Sequence, residues 1–118
     1  MSLVANVIIC LIGLLHLYIL VLEMFLWDKP AGLRAFGQTQ QAATATKVLA
    51  ANQGLYNGFL AAGLFWGLSL GSNGTGVKVF FLSCILVAGL FGAATASRKI
   101  LFIQAVPAAV GLVLLLLS

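Results

Sequence analysis

KVLAANQGLYNGFLAAGLFWGLSLG, Lys47 to Gly71, has the length and apolar content of a membrane-spanning helix, yet it holds Asn52, Gln53, Tyr56 and Asn57 in its first turns and five glycines in its last eighteen residues. Neither feature suits lipid. On a helical wheel Gly54, Gly58 and Ala62 recur at four-residue spacing along one side, and Gly63, Gly67 and Gly71 along nearly the opposite side. Each row is a small-xxx-small surface, where missing side chains let another backbone approach and gain dispersion contacts. Two rows imply two neighbours. This helix is therefore expected at the packed centre of a small bundle, with a polar patch near its start that other helices cover or fill.

The rest of the chain supports that class. Of 118 residues, 63% are apolar and only 7% charged, and the mean hydropathy is +1.18, far outside the range of a soluble globular domain. An integral membrane protein in contact with the lipid bilayer is expected. The net charge of +4 is spread over a few basic residues at the ends of apolar runs, which suits topology and leaves no surface for nucleic acid. Cys10 and Cys84 lie within apolar runs and read as inert thiols.

Outward from the central stretch, the sequence predicts an all-α bundle of four transmembrane helices in one domain, residues 1–118, with spans near 3–27, 47–71, 77–97 and 100–117. The first is too long for a signal peptide and lacks a positive start; Glu23 and Trp27 stand where a small-residue cleavage site would be. Asp28-Lys29-Pro30 breaks it, and Ala31–Thr46 reads as an interfacial loop in which Thr39 or Thr44 could cap the second helix. Ser-Asn-Gly-Thr-Gly after Gly71 is a turn. In the last span Pro107 should kink the helix and free the carbonyl of Ile103, with Gln104 placed to attend to it. Lys29, Arg34, Lys47, Arg98 and Lys99 fall on one side and Lys78 alone on the other. The positive-inside rule puts the five in the cytoplasm of a bacterial inner membrane and both termini outside.

A carboxylate inside a span costs a few kcal/mol, so Glu23 needs a reason. If the first two helices are antiparallel, Glu23 falls level with Asn52 and Gln53, and His16, about 10 Å deeper on the same face, falls near Asn57. The resulting ladder opens toward the cytoplasm and is topped by Lys47 and Arg98 as charge partners. It has a structural reading, in which Glu23 pairs with a cation and His16 with Asn57 to glue the bundle. It also has a functional one, in which His16, Glu23, Asn52, Gln53, Tyr56 and Asn57 line a polar cavity that binds a ligand, ion or proton. His16 and Glu23 are too far apart to chelate together and no other histidine exists, so no metal or cofactor is expected. Nothing resembles a phosphate loop or nucleophile elbow.

The motifs His16-Leu-Tyr18-Ile-Leu-Val-Leu-Glu23-Met-Phe25-Leu-Trp27 and Asn52-Gln53-Gly54-Leu-Tyr56-Asn57-Gly58-Phe59 resemble those of the small bacterial membrane proteins grouped as domain of unknown function 1304. The resemblance extends over the full length and implies a four-span protein whose characteristic residues are the same polar ladder; it implies no activity. In architecture alone the chain is also similar to the small multidrug resistance exporters, with no shared motif. The leading expectation is an uncharacterised membrane protein that binds or translocates a small solute through a cytoplasm-facing cavity. The alternatives are a membrane enzyme acting on a lipid or isoprenoid-like substrate through His16 and Glu23, and a structural or accessory subunit with no ligand. The glycine-rich faces are where a second copy would pack in a homo-oligomer.

Overall fold

A computed structural model describes residues 2–118. Among these every regular element is helical: α1 (Ser2–Met24), α2 (Pro30–Phe36), α3 (Gln40–Ser69), a 3-10 turn (Gly71–Gly74), α4 (Thr75–Thr95), a π-turn (Leu101–Ala105) and α5 (Val106–Leu116). Two stretches, Ser2–Met24 and Gly71–Thr95, are long and apolar enough to cross a membrane, and Leu101–Leu116 is a shorter apolar helix. Although α3 is 30 residues long, its apolar character is diluted by Gln40, Gln41, Asn52, Gln53 and Asn57.

The chain forms two compact units, and α1 and α3 each contribute to both. One unit is Leu14–Ala61, and the other comprises the residues up to Gly13 together with Ala62–Ser118.

In Leu14–Ala61 the segment expected to be a loop is largely helical. Pro30 occupies the first turn of α2, where its fixed φ suits a helix and its missing N–H costs nothing. Gly37 ends α2 with φ 62°, a left-handed conformation that glycine adopts without strain, and its N–H donates to the carbonyl of Leu33. Two residues on, Thr39 Oγ1 accepts the Ala42 N–H at 3.1 Å and caps α3. Hydropathy missed α2 because its seven residues are too few to show a helical period, whereas the glutamine-containing start of α3 is poor membrane sequence but good helix sequence and follows one of the two expected caps. Trp27 ties these parts together: its ring packs against Phe36 with centroids 4.8 Å apart, and its Nε1 donates to Thr46 Oγ1 at 3.1 Å.

The buried positions of α3 in this unit are Ala43, Ala50, Gly54, Asn57 and Ala61, spaced by seven, four, three and four. This seam differs from the expected strict four-residue row: Ala62 is exposed and Ala61 buried, because a helix of 3.6 residues per turn keeps one face toward a neighbour only by alternating threes and fours. A Cβ on Gly54 would lie 2.6 Å from Met24 Cγ, 3.1 Å from Glu23 Cβ and 3.2 Å from the Leu20 carbonyl oxygen. The backbone of α1 thus passes almost directly over that of α3. A Cβ on Gly58 would meet Leu20 Cδ1 at 2.7 Å.

In the other unit the second glycine row meets α4, with Gly63 under the ring of Phe81 and Gly67 under Lys78. Ala5, Ile9 and Ile12 of α1 join Leu64, Leu82, Ile85, Ala105, Ala108 and Leu115 in its core. The backbone of α4 comes close to that of the chain after it at Gly89, where a Cβ would lie 2.5 Å from Ala105 N and 2.9 Å from Ala105 Cα. The distortion anticipated at Pro107 takes the form of a π-turn: the Val106 N–H donates to the carbonyl of Leu101, one residue further back than in an α-helix. The wider turn ends immediately before the residue that has no N–H to give. Gly54, Gly58, Gly63 and Gly67 are packed against the chain's own residues, whereas a Cβ on Gly71 would meet nothing within 4 Å.

Gly89→Ala should therefore lower the thermal midpoint in detergent, an overpacking cost of about 1–3 kcal/mol. Gly76→Ala, where a Cβ meets nothing within 4 Å, should leave it unchanged or raise it.

Candidate functional site

The buried positions of α1 are Ala5, Ile9, Ile12, Gly13, His16, Leu22 and Glu23, of which Ala5, Ile9, Ile12, His16 and Glu23 run along one face. An acid and an imidazole therefore continue a seam that is otherwise aliphatic. Glu23 is 2% exposed and His16 fully buried. Gly54 makes this possible, since it is the residue beneath Glu23 Cβ.

Across from Glu23 is Asn57, 7% exposed. Its Nδ2 donates to Glu23 Oε1 at 2.6 Å and also to the Gln53 backbone carbonyl at 3.2 Å. The short first distance is that of a charge-assisted bond or a well-aligned neutral one. Glu23 Cβ lies over Gly54, one residue past the expected level of Asn52 and Gln53, and its carboxyl extends along α3 to reach Asn57.

The remaining ladder residues lie off this face. Asn52 is exposed and its Nδ2 donates back to the Val48 carbonyl at 3.3 Å. Gln53 is exposed, and so is Tyr56, which packs its ring toward Phe59 at 6.0 Å. At 100° per residue only Asn57 of the four shares the seam with Ala50, Gly54 and Ala61. Depth had grouped them, and direction separates them. His16, Glu23 and Asn57 are closed over by protein in this conformation. One groove outlined by described residues is apolar and lies elsewhere, about 510 Å³ along α4 between Phe80, Ser83, Cys84, Val87 and Phe91.

The expected charge partners have other settings. Lys47 Nζ lies 3.2 Å from Asp28 Oδ2, and Arg98 is exposed after α4. Sequence reasoning had treated Asp28 as a helix breaker only. The hydrogen bond from Lys47 holds its carboxyl below the usual aspartate range, burial opposes this, and the charges of Lys47 and Lys29 add to the lowering. Also missed was Lys78, taken for a loop charge. It is 4% exposed, and its Nζ donates to Asn6 Oδ1 at 3.0 Å. The available signal was Asn6 itself, an amide in an otherwise apolar run.

No cluster of three or more metal-binding side chains occurs among the described residues. Cys10 and Cys84 are free thiols.

The motif around Glu23 and that around Asn57 are thus joined by one hydrogen bond, and the family comparison covers both. The family described as "Protein of unknown function (DUF1304)" matches residues 10–116. The chain belongs to that family. This DUF1304 chain is also similar to the uncharacterized protein YpaA of Lactococcus lactis subsp. lactis (strain IL1403), with 27% identity over 106 residues that make up 88% of this chain and 89% of the relative. No solved structure matches it.

Two outcomes follow for the DUF1304 chain. Asn57→Leu should cost about 1–3 kcal/mol by leaving a buried carboxyl without its partner, whereas Glu23→Leu with Asn57→Leu should recover most of that loss. Equal losses for the single and double variants in chemical denaturation would break the assigned pairing. For Asp28, the depressed folded value means that its contribution is present above the unfolded value, about 3.9, and disappears as pH falls through the lower folded value. Wild type and Lys47→Met should differ slightly in thermal midpoint at neutral pH and converge in acid.

Proposed function

We propose that this chain is a multi-pass protein of the bacterial inner membrane that binds a small solute at the buried Glu23 carboxyl and exchanges a proton there. The membrane reading draws support from the two long apolar helices and from the large side chains left outside: Phe91 is 69% exposed, Phe102 68% and Leu116 68%. The uneven distribution of lysine and arginine favours both termini outside and the Glu23 end of α1 toward the cytoplasm.

The observation that carries the site is the chemistry of Glu23's partner. A salt bridge would fix the carboxylate in one charge state. Asn57 is an amide, with an N–H to donate to a carboxylate and a carbonyl to accept from a carboxylic acid after a rotation of the group. It can therefore hydrogen-bond Glu23 in either state. Lys47, the cation expected to pair with Glu23, is held by Asp28. A buried acid with a partner that tolerates both of its protonation states is suited to taking up and releasing a proton as a solute enters or leaves. His16, on the same face of α1 and deeper, is the next protonatable group along that path. Asn57, itself anchored on the Gln53 backbone carbonyl, supplies the neutral hydrogen bonds.

Thermal-shift screening of the purified protein against small amines, amino acids and sugars over a range of pH tests this reading. The expected result is a stabilising solute whose affinity changes with pH, with that dependence lost in Glu23→Gln. A bound solute whose affinity and pH profile are the same in Glu23→Gln would overturn the role of the carboxyl. A reporter that fluoresces only in the cytoplasm, fused after Ser118, should stay dark.

A further inference from the structure

Lys78 is a charged side chain in the wrong place for one. A lysine one turn into a helix normally extends its four-carbon stem toward the helix end and keeps its ammonium in water. Here the stem folds inward over Gly67, where a Cβ would meet Lys78 Cγ at 2.8 Å and the Lys78 backbone N at 3.2 Å. The ammonium ends on Asn6 Oδ1 at 3.0 Å, with the lysine 96% buried since 4% is exposed.

A buried ammonium is stable only with counter-charge and hydrogen bonds. Asn6 offers one neutral acceptor, and an ammonium has three N–H groups to place. The compact unit to which both residues belong, the residues up to Gly13 with Ala62–Ser118, holds no aspartate or glutamate at all. The chain's two acids lie in the other unit, and each has its own partner: Asp28 with Lys47 and Glu23 with Asn57. A lysine is thus drawn into a unit that has no side-chain carboxylate to receive it.

We infer that Lys78 and Asn6 form the protein half of a binding site for a phosphate-class monoanion. The ammonium supplies charge and the Asn6 amide a neutral N–H beside it. Their placement favours a phosphodiester at the surface of a bilayer. Asn6 lies four residues after the start of α1 and Lys78 three after the start of α4, so both are about 5–6 Å inside their helix ends. That is near the boundary between hydrocarbon and headgroups for helices that cross a membrane. The Asn6–Lys78 hydrogen bond is only partly covered, so an anion can reach it from the helix ends. The depth assignment rests on the membrane reading, whereas the missing counter-charge does not.

The test uses the full-length protein in a neutral detergent, with a short-chain phosphatidylglycerol, a short-chain phosphatidylcholine and inorganic phosphate as probes in thermal-shift and calorimetric titrations. Stabilisation by phosphatidylglycerol alone identifies an anionic lipid headgroup; stabilisation by inorganic phosphate as well identifies a general phosphate site. Either outcome should weaken by about tenfold or more in Lys78→Met, as expected for loss of a charge-assisted hydrogen bond. Because Lys78→Met could fail to fold, Asn6→Asp provides the second arm. It supplies the absent carboxylate from within the chain, so it should keep the fold, raise the thermal midpoint and compete the phosphate probes out. Binding that is unchanged in Asn6→Asp, equal binding of phosphatidylcholine and phosphatidylglycerol, or no binding of any probe would overturn the proposal. None of these outcomes depends on Glu23.

Discussion

The close approach of backbones across α3 is the constraint on which the rest depends. At Gly54 the side chains of Met24 and Glu23 and the carbonyl of Leu20 stand where a side chain would, at Gly63 the ring of Phe81 does, and at Gly67 the stem and backbone N of Lys78 do. Helices this near each other gain dispersion contacts along their full facing length, which lipid cannot match at a helix lined with larger residues. The same nearness sets the polar chemistry. Glu23 reaches Asn57 at 2.6 Å because nothing larger than hydrogen separates Glu23 Cβ from α3, and Lys78 lies flat because Gly67 leaves it a bed. The glycines thus act on function through position, without any polar group of their own.

Three charged side chains have three different kinds of partner. Asp28 has a cation, Glu23 an amide, and Lys78 an amide oxygen. Only the first is a matched pair of charges, and it stands outside the long apolar helices. The two groups placed within helices α1 and α4 are each left with a neutral partner. Water would make such an arrangement unremarkable at a surface, but at a few per cent exposure it leaves charge to be settled by protonation or by a ligand. The two proposals made for this protein are those two resolutions.

Much of this was legible in the sequence. The all-helical class, the close-packing glycines of α3, Thr39 as one of two N-cap candidates and the shared face of His16 and Glu23 follow from spacing and composition, because helical periodicity is a local property; the family follows from the resemblance of two motifs. What was not legible depended on things that periodicity does not encode. The register between α1 and α3 is set by how many residues the connection consumes, and α2 was hidden by its short length and by the polar residues around it. Asn52, Gln53 and Tyr56 were grouped with Asn57 by depth although they point elsewhere. Lys78 looked like a solvated end charge because nothing local to residue 78 reveals Asn6, which is 72 residues away.

The π-turn at Leu101–Ala105 is in effect one extra residue taken up by a helix without breaking it. It therefore acts as a phase adjuster: everything C-terminal to it is turned by about 100° relative to an uninterrupted α-helix. Ala108, Gly111 and Leu115 are buried because of that offset, and Gly111 faces Leu82 and Ile12 for the same reason. A relative with one residue fewer at this point would need its small and large residues redistributed around α5 to bury the same face. In such a relative a single-residue gap in an alignment would mark a change in helix phase rather than a change in a loop.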